Sequence, residues 1–174
     1  MPKESRLQGT ASRRVSASFV LLIGTILLAG CGGGRVAETT SPSNIECAPY
    51  ARQISGMALY GDAADWWDGA AGRYARGVQP SEGAVLVFRR SDRLPHGHVS
   101  VVTSAEGGRA IRVTQANWVH HRVARDEPVT DVSTANDWSA VRVWWAPAGQ
   151  LGSTVYPTYG FVGPAGSGLR TSMQ

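Results

Sequence analysis

Between residues 45 and 147 the hydrophobic positions recur with two different periods, and the change of period divides the segment. Tyr50, Ala51, Ile54, Met57 and Ala58 fall on one face of a helix. Pro49 has no amide hydrogen and suits only the first turn of such a helix, so Cys47 is expected at its N-terminus. A second short helical pattern covers residues 63–71, with Asp62 in front of it as a capping residue. Beyond Gly77 the period becomes two. Residues 83–88 form an apolar run after Pro80, residues 97–102 and 111–118 alternate, and residues 139–145 make a last strand after Asn136 and Asp137. Helices followed by a strand-rich meander predict an α+β domain, with N-terminal helices packed on a small antiparallel sheet. About 100 residues suffice for one such core.

The flanks have other patterns. Lys3, Arg6, Arg13 and Arg14 precede an apolar run at 19–29 that ends in small residues, the order of a signal peptide over residues 1–30. The run is shorter than the about 20 apolar residues a membrane span needs. Leu28-Ala29-Gly30-Cys31 looks like the lipobox of bacterial lipoproteins, which makes Cys31 the expected lipidation site and membrane anchor. Gly32 stands where an inner-membrane retention signal has Asp, so the expected address is the periplasmic face of the outer membrane. Residues 31–44 are small and polar and read as a lipidated tether. The tail, 148–174, is rich in Gly, Pro and Ser yet carries Tyr156, Tyr159 and Phe161; docking on the domain and hanging free both remain open.

Charge adds little. The formal charge of the whole chain is +4, and removal of residues 1–30 takes away four basic groups and one acid, leaving +1. No basic stripe survives to serve a nucleic-acid partner, and the cluster at Arg89, Arg90 and Arg93 reads as a solvated turn.

The chemistry starts from the two cysteines. A lipidated Cys31 leaves Cys47 as the free thiol, at a helix N-terminus where a thiolate is stabilised. Its partner must come from His96, His98, His120 or His121, and His98 opens an apolar strand directly after Gly97, where its ring can face a cleft. A histidine acting as base needs a side-chain oxygen to hold its working tautomer. Gln115 and Asn117 share one face of the next strand and both offer one. No metal site is expected, because adjacent histidines point to opposite faces of a strand and no second thiolate completes a tetrahedral set. Tyr50, Trp66 and Trp67 are candidates for lining a substrate cleft, with Trp66 and Trp67 divided between cleft and core; Trp118, Trp138, Trp144 and Trp145 read as packing residues.

These segments resemble the CHAP domain, the cysteine- and histidine-dependent amidohydrolase/peptidase family within the papain-like NlpC/P60 group. The resemblance rests on Glu46-Cys47-Ala48-Pro49-Tyr50-Ala51, Gly61-Asp62-Ala63-Ala64-Asp65-Trp66-Trp67, the run 80–88, Gly97-His98-Val99-Ser100-Val101-Val102 and Val113-Thr114-Gln115-Ala116-Asn117-Trp118, in family order. It implies a papain-like CHAP/NlpC-P60 fold over residues 45–147, with Cys47 as nucleophile, His98 as base and Asn117 matching the family's Asn before Trp. Many members have a carboxylate where this chain has Gln115, so either Asn117 or Gln115 orients His98, and the resemblance favours Asn117. The implied activity is hydrolysis of a peptidoglycan amide through a thioester, by an N-acetylmuramoyl-L-alanine amidase or a stem or cross-link endopeptidase, with no cofactor. A non-catalytic wall-binding lipoprotein and an amidase of γ-glutamyl-type conjugates are the alternatives.

Overall fold

The chain enters the folded part through Glu46, held extended at φ −98° and ψ 149°, and turns directly into α1 (Cys47–Ser55). The structure, a computed structural model, describes residues 45–105 and 107–163. Pro49 is the third residue of α1, within the first turn where its missing N–H has no helical acceptor to lose. The helix stops at Gly56, whose left-handed φ of 71° lets its N–H return to the carbonyl of Arg52. A single 3₁₀ turn (Ala63–Asp65) leads into the one-turn α2 (Trp66–Gly69). Asp62 does not cap this turn. Its carboxylate instead accepts from Arg90 and lies 3.0 Å from His96 Nδ1.

Eight strands follow: β1 (Ala75–Gly77), β2 (Val85–Phe88), β3 (His98–Ala105), β4 (Ala110–Ala116), β5 (Val123–Asp131), β6 (Ala140–Trp145), β7 (Gln150–Leu151) and β8 (Tyr156–Gly163). They order as β1-β8-β2-β3-β4-β5-β6-β7, all neighbours antiparallel, and β8 also pairs with β6. One edge of β8 takes β2, while the other takes β6 at Tyr156 and Pro157 and β1 at Phe161 to Gly163. The extra pairing closes β8, β2, β3, β4, β5 and β6 into a six-stranded antiparallel barrel.

This overturns the expected α+β papain-like architecture of N-terminal helices on a small antiparallel sheet. The described residues form a mostly β barrel with two short helices. The misreading has a physical origin in β5 and β8, which lack the alternation that marks a strand. β5 contains Arg125, Asp126, Glu127 and Pro128, and β8 contains Pro157 and Gly160, residues that normally interrupt strands. Both are held in place by neighbouring strands: Pro128 sits opposite Arg112, and the step between Val87 and Phe88 that β8 matches is irregular. Residues 156–163, within the tail expected to dock or hang free, therefore form a strand of the barrel wall. The expected signal peptide (1–30), the expected lipidation site Cys31 and the expected tether (31–44) lie outside the described residues.

Side chains from the barrel wall point two ways, and each set has its own core. Inside, Leu86, Phe88, Val102, Ile111, Val113, Val129, Trp138, Val141, Val143 and Phe161 pack together. Outside β2, β3 and β8, Val85, Val87, Val99, Val101 and Val162 meet Ala51 of α1, Met57, Leu59 and Trp66 of α2. β2 is thus buried on both faces, which is why it reads as an unbroken apolar run. By the same alternation, His98 and Ser100 of β3 share the interior parity of Val102, and Glu127 of β5 shares that of Val129. One end of the barrel interior is therefore polar.

Candidate active site

His98 owes its position to Gly97. That residue has φ +72°, and a Cβ there would lie 2.7 Å from the backbone N and Cβ of Ala64 and from the carbonyl oxygen of Phe88. No side chain fits. The close approach lets the carbonyl of His96 accept from the N–H of Ala64 at 3.0 Å, pinning the entry of β3 to the helical segment. His98 then turns its ring into the barrel end, 4% exposed, between Trp118 at 5.0 Å and Phe88 at 5.4 Å between ring centroids.

Among the described residues the imidazole has one hydrogen-bond partner, Gln115. Its Nε2 lies 3.0 Å from Oε1 of Gln115, and the same oxygen accepts from Ser100 Oγ at 2.7 Å. Gln115 Nε2 donates to Oε2 of Glu127 at 3.0 Å. Only the amide nitrogen of Gln115 can donate to a carboxylate oxygen, so its carbonyl oxygen faces His98. Nε2 of His98 must then carry the proton, and Nδ1 presents the lone pair. Burial, partly offset by the bond to Gln115, pulls the pKa of His98 down to about 4. The ring is neutral at neutral pH.

Cys47 is the first residue of α1, with its sulfur against the backbone N–H groups of Val99, Ala48 and its own residue. Val99 directly follows His98, so the thiol lies against the beginning of the strand that carries the imidazole. The expected lowering of the thiol pKa by the helix start is not what the surroundings produce. Burial pushes it above its ordinary value and the Glu46 carboxylate adds to this, outweighing the three N–H groups. The thiol is protonated at rest because it gives up more hydration than the amides return.

Asn117 is not on the imidazole. It adopts a left-handed φ of 59° at the start of the β4–β5 connection, where its Oδ1 accepts from the His121 N–H at 2.9 Å and its Nδ2 donates to Glu46 Oε2 at 2.9 Å. It ties the residue preceding Cys47 to the tip of β4. The oxygen on His98 belongs to Gln115 instead, the choice that the alternation left open. Cys47 and His98 line two different hollows. One is lined by Glu46, Cys47, Ala48, Asp62, His96 and Gly97; the other by His98, Asn117, Trp118, Tyr156, Arg93 and Trp145.

Of the proposed cleft aromatics, Trp66 is fully buried in the core beneath the helices and has no face to offer a ligand. Trp67 stacks on Tyr159 at 5.7 Å, with Arg76 over its ring. Tyr50 is half-buried on α1, three residues after Cys47. Trp118 and Trp145, read from sequence as packing residues, line the hollow beside His98. Ser100 and Glu127 were not singled out in the sequence. Glu127 had a signal, a carboxylate on the parity of Val129 and two residues before it, but it required recognising β5 as a strand. Among the described residues no group of three or more His, Cys, Asp and Glu side chains converges as metal ligands would.

Residues 37–117 match the family model of the CHAP domain. That span includes Cys47, His98, Gln115 and Asn117 and ends before β5. No curated protein matches the sequence. Among solved structures, the chain is similar to the crystal structure of Ly7917, 17% identical over 68% of this chain and 53% of that one, with a TM-score of 0.36. It is also similar to Ly7917 with the hydrolyzing product of MDP, 16% identical over 68% and 54%, TM-score 0.35. The chain thus spans about half the length of these proteins.

Proposed function

We propose that this protein is a peptidoglycan hydrolase that cuts an amide bond through a Cys47 thioester. The observation that carries the reading is the orientation of His98: buried, neutral and bonded at Nε2 to Gln115, which leaves Nδ1 as the basic nitrogen of a ring whose next residue, Val99, has its backbone against Cys47. The match of residues 37–117 to the CHAP domain supports the same chemistry, since that family uses a cysteine and a histidine for amide hydrolysis. Both groups are neutral at rest, so proton transfer accompanies attack. As Cys47 Sγ adds to the substrate carbonyl, His98 Nδ1 takes the thiol proton. The backbone N–H groups of Cys47 and Ala48, at the start of α1, would stabilise the negative oxygen. Collapse of the adduct breaks the C–N bond as His98 returns the proton to the leaving amine. Water, deprotonated by His98, then attacks the thioester, and as the C–S bond breaks His98 returns that proton to the Cys47 sulfur.

The bond is either the N-acetylmuramoyl-L-alanine amide or a peptide bond of the stem or cross-link, and the amidase is favoured in a wall without interpeptide bridges. In this reading Cys31 carries lipid that tethers the enzyme at the periplasmic face of the outer membrane. Digestion of purified peptidoglycan followed by mass spectrometry of the released fragments tests the proposal. An amidase releases intact stem peptides and free lactyl ends, and an endopeptidase releases cut stems. Cys47→Ala and His98→Ala are each expected to abolish release, and undiminished release by either refutes the mechanism.

A further inference from the structure

Glu127 ends the buried hydrogen-bonded chain that starts at His98, and the mechanism above does not use it. It stands on β5, two strands from His98, with 8% of its surface exposed, and its Oε2 accepts a hydrogen bond from Gln115 Nε2 at 3.0 Å. Gln115 itself is 1% exposed. A buried primary amide has two nearly isosteric orientations, and they demand opposite tautomers of the histidine facing them. With its oxygen toward His98, Gln115 requires Nε2–H and leaves Nδ1 as the base. Rotated by 180°, it would donate to Nε2 and move the ring proton to Nδ1, where it can no longer accept a proton from a thiol. Ser100, which donates to Oε1 at 2.7 Å, biases the choice weakly, because a hydroxyl can also accept. A carboxylate oxygen cannot donate, so Glu127 permits only the productive orientation.

We infer that Glu127 is a positioning residue that sets the His98 tautomer through Gln115, so that a carboxylate one strand away supplies the fixed polarity that an acid at position 115 would supply directly. The inference rests on the Cys47–His98 reading for its effect on rate, but its geometric content does not. Glu127→Leu leaves Gln115 without its acceptor, and kcat falls about 10–100-fold, the range for groups that orient a functional imidazole through its other nitrogen, while KM changes little. Exchanging the two side chains, Gln115→Glu together with Glu127→Gln, places the carboxylate on His98 Nε2 and the amide behind it, and returns activity toward that of the wild type. Gln115→Glu alone buries two carboxylates side by side and stays impaired.

The test measures these variants for peptidoglycan release and records the ¹⁵N shifts of the His98 ring in the full chain, which report the tautomer without any substrate. The expected result is a single Nε2–H form in the wild type and in the exchanged pair, and a mixture in Glu127→Leu. A single Nε2–H form in Glu127→Leu, or an exchanged pair no better than Gln115→Glu alone, overturns the assignment. The second comparison decides the matter even if Glu127→Leu does not fold. A wild type that is inactive on peptidoglycan yet shows the expected tautomers removes the proposed function and leaves the positioning role standing.

Discussion

At the residue scale, the site is governed by desolvation. His98 is neutral because burial disfavours imidazolium, and Cys47 is protonated because its surroundings disfavour thiolate. The pair therefore rests as thiol and imidazole, and the thiolate difference absorbance near 240 nm between wild type and Cys47→Ala should be absent at neutral pH. A strong signal at pH 7 would indicate a resting ion pair. His98 also makes stability depend on pH. Its folded pKa, about 4, lies below the ordinary 6.5, so the unfolded chain binds more protons in between. Its contribution is full above 6.5 and is lost as pH falls toward 4, by up to about 3 kcal/mol at about 1.36 kcal/mol per pKa unit. Urea denaturation at pH 7 and pH 4 should show this loss in the wild type and a smaller one in His98→Phe.

At the element scale, the entry of β3 is the critical join. Gly97 combines a left-handed φ with three atoms at 2.7 Å from any Cβ, so Gly97→Ala should cost on the order of 2–4 kcal/mol from backbone strain and overpacking together. Gly56 has nearly the same φ, +71°, but open space around it. Gly56→Ala should cost only about 1–2 kcal/mol, and equal thermal shifts for the two variants would deny the close approach at Gly97. The helix start bearing Cys47 was readable in sequence because Pro49 and the spacing of Tyr50, Ala51 and Ile54 agree locally. The strands carrying His98 and Gln115 were readable because each has an alternating face. β5 was not, since its charged residues and Pro128 are stabilised by β4 and β6 rather than by their own pattern.

At the scale of the whole molecule, β8 completes the barrel. It contributes Phe161 to the inner core and Val162 to the outer one, and it joins β2 on one edge to β6 and β1 on the other. A chain ending at Val155 should fail to give a cooperative thermal transition, because both cores open at once, β2 is left as a bare edge and β6 loses its partner at Ala140 and Val141. A cooperative melt for that truncation would mean that the wall closes without β8. The sequence by itself determined the residues able to do chemistry, a free thiol at a Pro-marked helix start, a histidine after a glycine and two amides on one strand face, because those signals are local. Tertiary structure decided the rest. It closed the sheet into a barrel, assigned the oxygen on His98 to Gln115 and gave Asn117 to Glu46. It also buried Trp66 and placed Glu127 behind the amide. These outcomes depend on register between strands distant in sequence and on how much water each group loses, and neither quantity is written in any one segment of the chain.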